Sequence, residues 1–144
     1  MNKDESLKLE NQLCFPLYAA SRLVTRWYQS LLDQLGLTYP QYLVLLVLWE
    51  TDKVNLKVLS DRLELQSNTL TPLLKRMEDT GIINRTRSTD DERSIIVSLT
   101  EKGHKLKLEA PKVHSQLVEN IGIDLEDAQL LHQLLYKVIK KLKV

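Results

Sequence analysis

A single cysteine, Cys14, is the chain's whole stock of thiol chemistry. One thiol excludes an intrachain disulfide framework and any zinc site built on several cysteines, and it fits a reducing compartment. Glycine and proline are scarce too, four of each in 144 residues. A sandwich or barrel spends such residues at every turn, so their scarcity predicts a mainly α protein. Long apolar runs are also missing. The most hydrophobic stretch, residues 42–49, is eight residues long, too short to span a bilayer. The opening decapeptide MNKDESLKLE is charged and holds no signal-like apolar core, which predicts a cytoplasmic protein away from any membrane. Charge of one sign is lacking as well. With 20 basic against 19 acidic residues the formal net charge is +1, so any nucleic-acid binding must rest on local placement of Lys and Arg. His104, His114 and His132 have neither triad nor metal-ligand spacing, so no metal site, cofactor or enzymatic activity is expected.

The length suits one domain, residues 1–144, with one core. Leu13, Leu17, Ala20, Val24, Trp27, Leu31 and Leu35 recur at spacings of three and four, predicting an amphipathic helix from about Leu7 or Leu13 to Leu35, stopped by Gly36. Pro40 suits the first turn of a second helix, which runs to about Glu50 and is apolar nearly all round. Asn55 is placed to cap Leu56–Leu63, and Ser67 or Asn68 to cap a helix ending near Thr80, with Gly81 as its left-handed stop. Two β-branched runs, residues 82–87 and 94–99, flank a polar tip and read as a two-stranded wing. Thr100 caps a helix reaching about Asn120 that Pro111 should interrupt. Asp124 caps the last, striped by Leu125, Ala128, Leu131, Leu135, Val138 and Leu142.

Short helix, tight turn, second helix, β-wing is the order of a winged helix-turn-helix. Residues of about 55–100 form that lobe. The long striped segments at about 7–35 and 101–142 are more than a small centre can cover, and pairing with a second copy would bury them as a homodimer interface. In the second helix Ser67, Asn68, Thr69, Thr71, Pro72, Lys75 and Arg76 fall off the apolar stripe of Leu70, Leu73, Leu74 and Met77. Small, polar and cationic groups near a helix N-terminus suit a major groove and its phosphates. Arg85 and Arg87 place charge on the wing strand, and Arg93 sits at the tip, suited to a minor groove, with Asp91 near enough to hold its guanidinium. From spacing alone these side chains fit a solvated face equally well.

The segment 55–103 resembles the multiple antibiotic resistance regulator (MarR) family of winged-helix repressors. The resemblance is carried by Leu74-Lys75-Arg76-Met77-Glu78, Asp90-Asp91-Glu92-Arg93-Ser94 and Leu99-Thr100-Glu101-Lys102-Gly103. It implies an obligate dimer on an inverted-repeat operator in double-stranded DNA, with Arg93 as minor-groove reader supported by Asp91.

Cys14, between Leu13 and Phe15, fits two readings. It is either an inert small hydrophobe or a thiolate stabilised at a helix start. Tyr18 lies one turn on and is placed to support it. Tyr28 is fourteen residues on, about 21 Å along a straight helix, and reaches a cysteine only in a partner chain. Tyr39 and Tyr42 start the next helix and are also placed to approach from a partner, and Tyr136 belongs to the last helix. The runs Lys8-Leu9-Glu10-Asn11-Gln12-Leu13-Cys14-Phe15, Leu17-Tyr18-Ala19-Ala20-Ser21-Arg22 and Leu37-Thr38-Tyr39-Pro40-Gln41-Tyr42 are similar to the organic-hydroperoxide repressors within that family, as is the run from Ser67 to Arg76. The likeness implies that an organic hydroperoxide oxidises Cys14, with Tyr28 and Tyr39 of the other subunit hydrogen-bonded to it. It also implies DNA release on oxidation, with a small thiol capping the product because no second cysteine exists. Pro16 departs from the pattern, at a place where an apolar helix former can stand. The alternative expectation is a repressor of the same family that answers to a small aromatic ligand, with Cys14 incidental.

Overall fold

The computed structural model describes residues 2–91 and 93–143, so Glu92 of the wing-tip motif lies outside the described residues. The chain forms two compact units, Met1–Ala110 and Pro111–Val144. Among the described residues no single helix is long and apolar enough to cross a membrane.

In the first unit a short α1 (Lys3–Ser6) precedes the long α2 (Cys14–Leu32). The expected start near Leu7 is not reached, because a 3-10 turn at Leu9–Asn11 and an extended Gln12 intervene. Side-chain amides stitch this segment to α1: Asn11 donates to the Glu5 carbonyl at 2.7 Å, and Gln12 to the Ser6 and Lys8 carbonyls at 2.8 Å each. Pro16 is the third residue of α2, where a backbone N–H would have no helical partner anyway, so the helix begins at Cys14 without a break. At its far end a 3-10 turn, Asp33–Leu35, runs into Gly36 at φ +70°.

The next helix, α3 (Tyr39–Glu50), starts with a capping box that the sequence reading passed over. The Gln41 N–H donates to the Thr38 hydroxyl at 3.4 Å, and the Thr38 N–H donates to the Gln41 carbonyl oxygen at 3.1 Å. Helix α3 packs against α2, α4 and α5, and its Val44, Leu45 and Leu48 are almost wholly buried. It is the centre of the core, as its all-round apolar sequence predicts.

A two-residue strand β1 (Val54–Asn55) then leads into α4 (Leu56–Leu63), whose N-terminus Asn55 caps at 2.9 Å. Three residues turn the chain into α5 (Ser67–Asp79), the first of them Glu64 in left-handed conformation at φ 56°. The cap of α5 is Gln66 through its backbone alone, not Ser67 or Asn68, which are already inside the helix. Its end follows expectation, since Gly81 takes φ +77° and the Ile82 N–H returns to the Met77 carbonyl at 3.0 Å.

The wing strands β2 (Ile83–Arg87) and β3 (Ile95–Leu99) pair antiparallel, from Ile83 opposite Leu99 to Arg87 opposite Ile95. The sheet has three strands, not two, in the order β1-β3-β2. Asp52 braces it by accepting the Leu99 N–H at 2.9 Å and the Lys53 N–H at 2.8 Å. Thr100 caps α6 (Glu101–Leu106) as expected. Its hydroxyl also donates toward the Gly81 and Ile82 carbonyls, tying α6 to the end of α5.

Past α6 a 3-10 turn at Lys107–Glu109 interrupts the chain just ahead of Pro111, where the missing N–H and the ring forbid a regular helical bond. Helix α7 (Ala110–Ile121) follows. In the second unit α8 (Leu125–Leu142) is capped by Asp124, whose carboxylate takes the Asp127 N–H at 2.9 Å. No residue of α8 is buried, and Leu125, Leu131, Val138 and Leu142 of its apolar stripe stand open.

Candidate nucleic-acid interface and redox site

Helix α5 divides cleanly. Leu70, Leu73, Leu74 and Met77 are buried against the core, while Ser67, Asn68, Thr69, Thr71, Pro72, Lys75 and Arg76 are all exposed. Pro72 lies inside the helix and brings no N–H, so the Asn68 carbonyl one turn earlier loses its helical donor on the exposed face. The Thr71 hydroxyl donates to the Ser67 carbonyl at 2.8 Å, leaving its lone pairs and methyl outward. Nothing on this face is acidic before Glu78, at the far end. A convex ridge of hydroxyls, an amide and two cations can enter a groove and meet phosphate oxygens.

The wing carries the remaining cations, and the structure separates them. Arg87 and Arg93 are exposed. Arg85 is not outward. Its guanidinium Nη2 donates to Glu78 Oε1 at 3.2 Å and its backbone N–H to Oε2 at 3.0 Å, joining the strand to the last turn of α5. Those two bonds hold the Glu78 carboxyl below its ordinary value. Asp91 also departs from expectation. Its carboxylate accepts the Arg93 backbone N–H at 3.0 Å and so shapes the tip turn, while no ion pair joins the two side chains. A carboxylate two residues ahead of a free N–H closes a local turn more readily than it reaches a long, solvated guanidinium.

Cys14 is exposed at the first position of α2. Tyr18, one turn on, is exposed too and lies under the Arg22 guanidinium, 5.4 Å from its ring centre. Tyr28 is buried near the other end of the helix and stacks on Tyr39, their rings 4.5 Å apart and 28° from parallel. Tyr42 and Trp27 complete the cluster, with ring centres 6.0 and 5.6 Å from that of Tyr28. Burial pushes the Tyr28 hydroxyl from 10.0 up to about 12, and the phenols of Tyr39 and Tyr42 act in the same direction. Burial raises Tyr39 and Tyr42 as well. Fourteen residues of unbroken helix, about 21 Å, separate Tyr28 from the cysteine of its own chain. One chain therefore assembles Tyr28, Tyr39 and Tyr42 with one another and not with Cys14.

Residues 26–110 match the family model for the transcriptional regulator SarA/Rot. The organic hydroperoxide resistance transcriptional regulator of Bacillus subtilis (strain 168) is 48% identical over 141 residues, covering 98% of this chain and 96% of its own. The chain belongs to this family of winged-helix transcriptional regulators.

The solved structures similar to this regulator include reduced AbfR bound to DNA, 38% identical, with a TM-score of 0.81 over 98% of this chain and 99% of that one. Overoxidized AbfR bound to DNA is also 38% identical, at a TM-score of 0.78 with the same coverage. The family is one of regulators and not of enzymes. The sequence gives no sign of the roles of Glu78 and Asp52, the first bonded to the strand that follows its own helix and the second to a strand far along the chain. A lone acidic residue at a helix end or in a turn gives no local sign of such a partner.

Proposed function

We propose that the protein is a cytoplasmic, homodimeric repressor that holds an inverted-repeat operator in duplex DNA and releases it when an organic hydroperoxide oxidises Cys14. The observation that carries this reading is an exposed thiol, the chain's only one, at the first turn of a helix in a regulator whose relative AbfR has been solved on DNA both reduced and overoxidized. Ser67, Asn68, Thr69, Thr71, Pro72, Lys75 and Arg76 meet the major groove, and Arg87 and Arg93 follow the backbone and minor groove beside it. Asp91 sets the tip from which Arg93 projects. The open stripe of α8 and the exposed Leu13 and Leu17 at the front of α2 are each covered by a second copy, so residues 1–144 work as one domain only in the dimer.

The chemistry needs two steps. The thiolate of Cys14 attacks the peroxide oxygen, the O–O bond breaks, and sulfenic acid and an alcohol result. A small thiol then displaces water from the sulfenic acid to give a mixed disulfide, the chain having no second cysteine to close on. Tyr18 of the same chain, and Tyr28 and Tyr39 of the partner, bond the reduced sulfur. An adduct there displaces them and moves the two DNA-binding lobes off groove spacing, about 34 Å apart.

The test is binding of the reduced protein to its own upstream DNA before and after an equimolar organic hydroperoxide, with Cys14→Ser in parallel. Release by the wild type alone, reversed by dithiothreitol, is expected. Binding that ignores peroxide would return Cys14 to a packing role.

A further inference from the structure

We infer that Glu78 and Arg85 are positioning residues for DNA recognition, a clamp that fixes the wing at one angle to α5, and that Arg85 acts through this geometry without touching phosphate. The inference rests on the DNA-binding reading above and gives Arg85 a role within it other than the direct DNA contact expected from spacing.

The hinge between α5 and β2 is short and built around Gly81 at φ +77°. Thr100 and Lys102 fasten the hinge itself, the lysine Nζ donating to the Thr80 carbonyl at 3.0 Å. The Glu78–Arg85 link fastens the arm beyond it. Both carboxylate oxygens are engaged by Arg85, one by its backbone N–H and one by its guanidinium, so the strand is fastened to α5 at this residue by two bonds. Strand β2 is an edge of the sheet, and Arg85 turns its N–H away from β3 toward the carboxylate, which satisfies a donor that an edge strand otherwise leaves to solvent. Arg85 also shares its sheet face with the buried Ile83, two residues back. Among the described residues its Nε, also buried, has no hydrogen-bond partner, as befits a guanidinium drawn inward. Its side chain is 21% exposed, far from the open posture of Lys75, Arg76 or Arg93.

Electrostatics sharpen the distinction. An unpaired Glu78 would set a negative charge at the end of the helix that faces DNA, and Arg85 cancels it. If Arg85 were a phosphate contact, Glu78 would compete with DNA for it, and neutralising Glu78 would tighten binding. If the pair is a clamp, neutralising either partner loosens the wing and weakens binding.

The experiment measures affinity of the reduced full-length protein for its upstream duplex across a salt series, with Glu78→Gln, Arg85→Gln, the double variant and Arg85→Lys, each checked for folding by thermal melt. The single variants are expected to bind roughly tenfold more weakly, the double no worse than the weaker single, as for two groups in one link. The slope of log affinity against log salt should stay at the wild-type value, and Arg85→Lys should recover affinity by offering Glu78 a donor. An Arg85→Gln slope reduced by about one, with tighter binding by Glu78→Gln, would overturn the clamp and make Arg85 a phosphate contact. Unchanged affinity in both singles would also overturn it. If Glu78→Gln does not fold, the two Arg85 variants decide the question by slope alone. A wild type that binds no DNA at any salt defeats the repressor reading and the clamp together, whereas a binding wild type with unmoved variants defeats the clamp alone.

Discussion

Gly103, in α6, is a position where a methyl group has nowhere to go. A Cβ there would stand 2.4 Å from the Ile82 carbonyl oxygen and 3.0 Å from Leu99 Cδ2. The oxygen cannot move aside cheaply, because it accepts the Thr100 N–H at 3.1 Å and the Thr100 hydroxyl at 2.9 Å. Helix α6 cannot slide freely either. The Gly103 carbonyl accepts the Trp49 indole N–H at 3.0 Å, and its own N–H donates to the Thr100 hydroxyl at 3.1 Å. Overpacking of this kind costs roughly 1–3 kcal/mol. Straining the two bonds that Gly103 itself makes adds about 2 kcal/mol in all. Alanine returns about 1 kcal/mol through its better helix propensity. Gly103→Ala is therefore expected to destabilise the fold by about 2–4 kcal/mol, lowering the melting midpoint by roughly 5–15 °C in a chain of this size. Urea and thermal unfolding followed by circular dichroism, on reduced protein at one fixed chain concentration, measure this directly. A variant within about 0.5 kcal/mol of wild type, the ordinary range for a surface substitution, would refute the reasoning.

Lys75→Ala and Arg76→Ala should each lower the salt slope of DNA binding by about one while weakening all sequences alike, as loss of a phosphate contact does; a change of sequence preference would instead place that side chain on a base. The folded chain keeps the Tyr28 phenol protonated up to about 12, while the unfolded chain ionises it near 10.0. The stability tied to that difference is thus complete below pH 10 and lost as pH rises toward 12. Tyr28→Phe should show a shallower alkaline loss in denaturant titrations over that window, and a slope equal to wild type would refute the assignment. Leu59, fully buried in α4, should cost roughly 2–5 kcal/mol on change to Ala, read as a lower urea midpoint with an unchanged m-value.

Features written into a few adjacent residues were legible in the sequence. Asn55, Thr100 and Asp124 cap the helices they precede, Gly36 and Gly81 end theirs, and the stripe of α5 turns inward as its spacing predicts. What escaped depends on partners in another element or on backbone alone. Strand β1 is two residues long, and only its pairing with Val97 and Ile96 makes it a strand. Gln66 caps α5 with no side-chain bond, so no preferred residue type announces it. Arg85 carries the same charge as Arg87 and Arg93, and only the fold shows that Glu78 has turned it inward. At the redox site the sequence supplied the cysteine and the tyrosines, and helix arithmetic alone showed that Cys14 and Tyr28 cannot meet within one chain.

Both tryptophans border the tyrosine cluster, but only Trp49 is also tied to α6, and this difference gives the protein an intrinsic optical record of its own state. Trp27 lies edge-on to Tyr28 at 77°, within the tyrosine cluster. Trp49 lies edge-on to Tyr42 at 73° and is tethered through its indole N–H to α6 of the winged lobe. Emission from a Trp49→Phe chain would follow Tyr28 and its neighbours, and emission from a Trp27→Phe chain would follow Tyr42 together with the tether to α6. With one indole removed at a time, a change among the tyrosines alone and a change in the tether to α6 give different emission records, with no dye attached to the sole thiol.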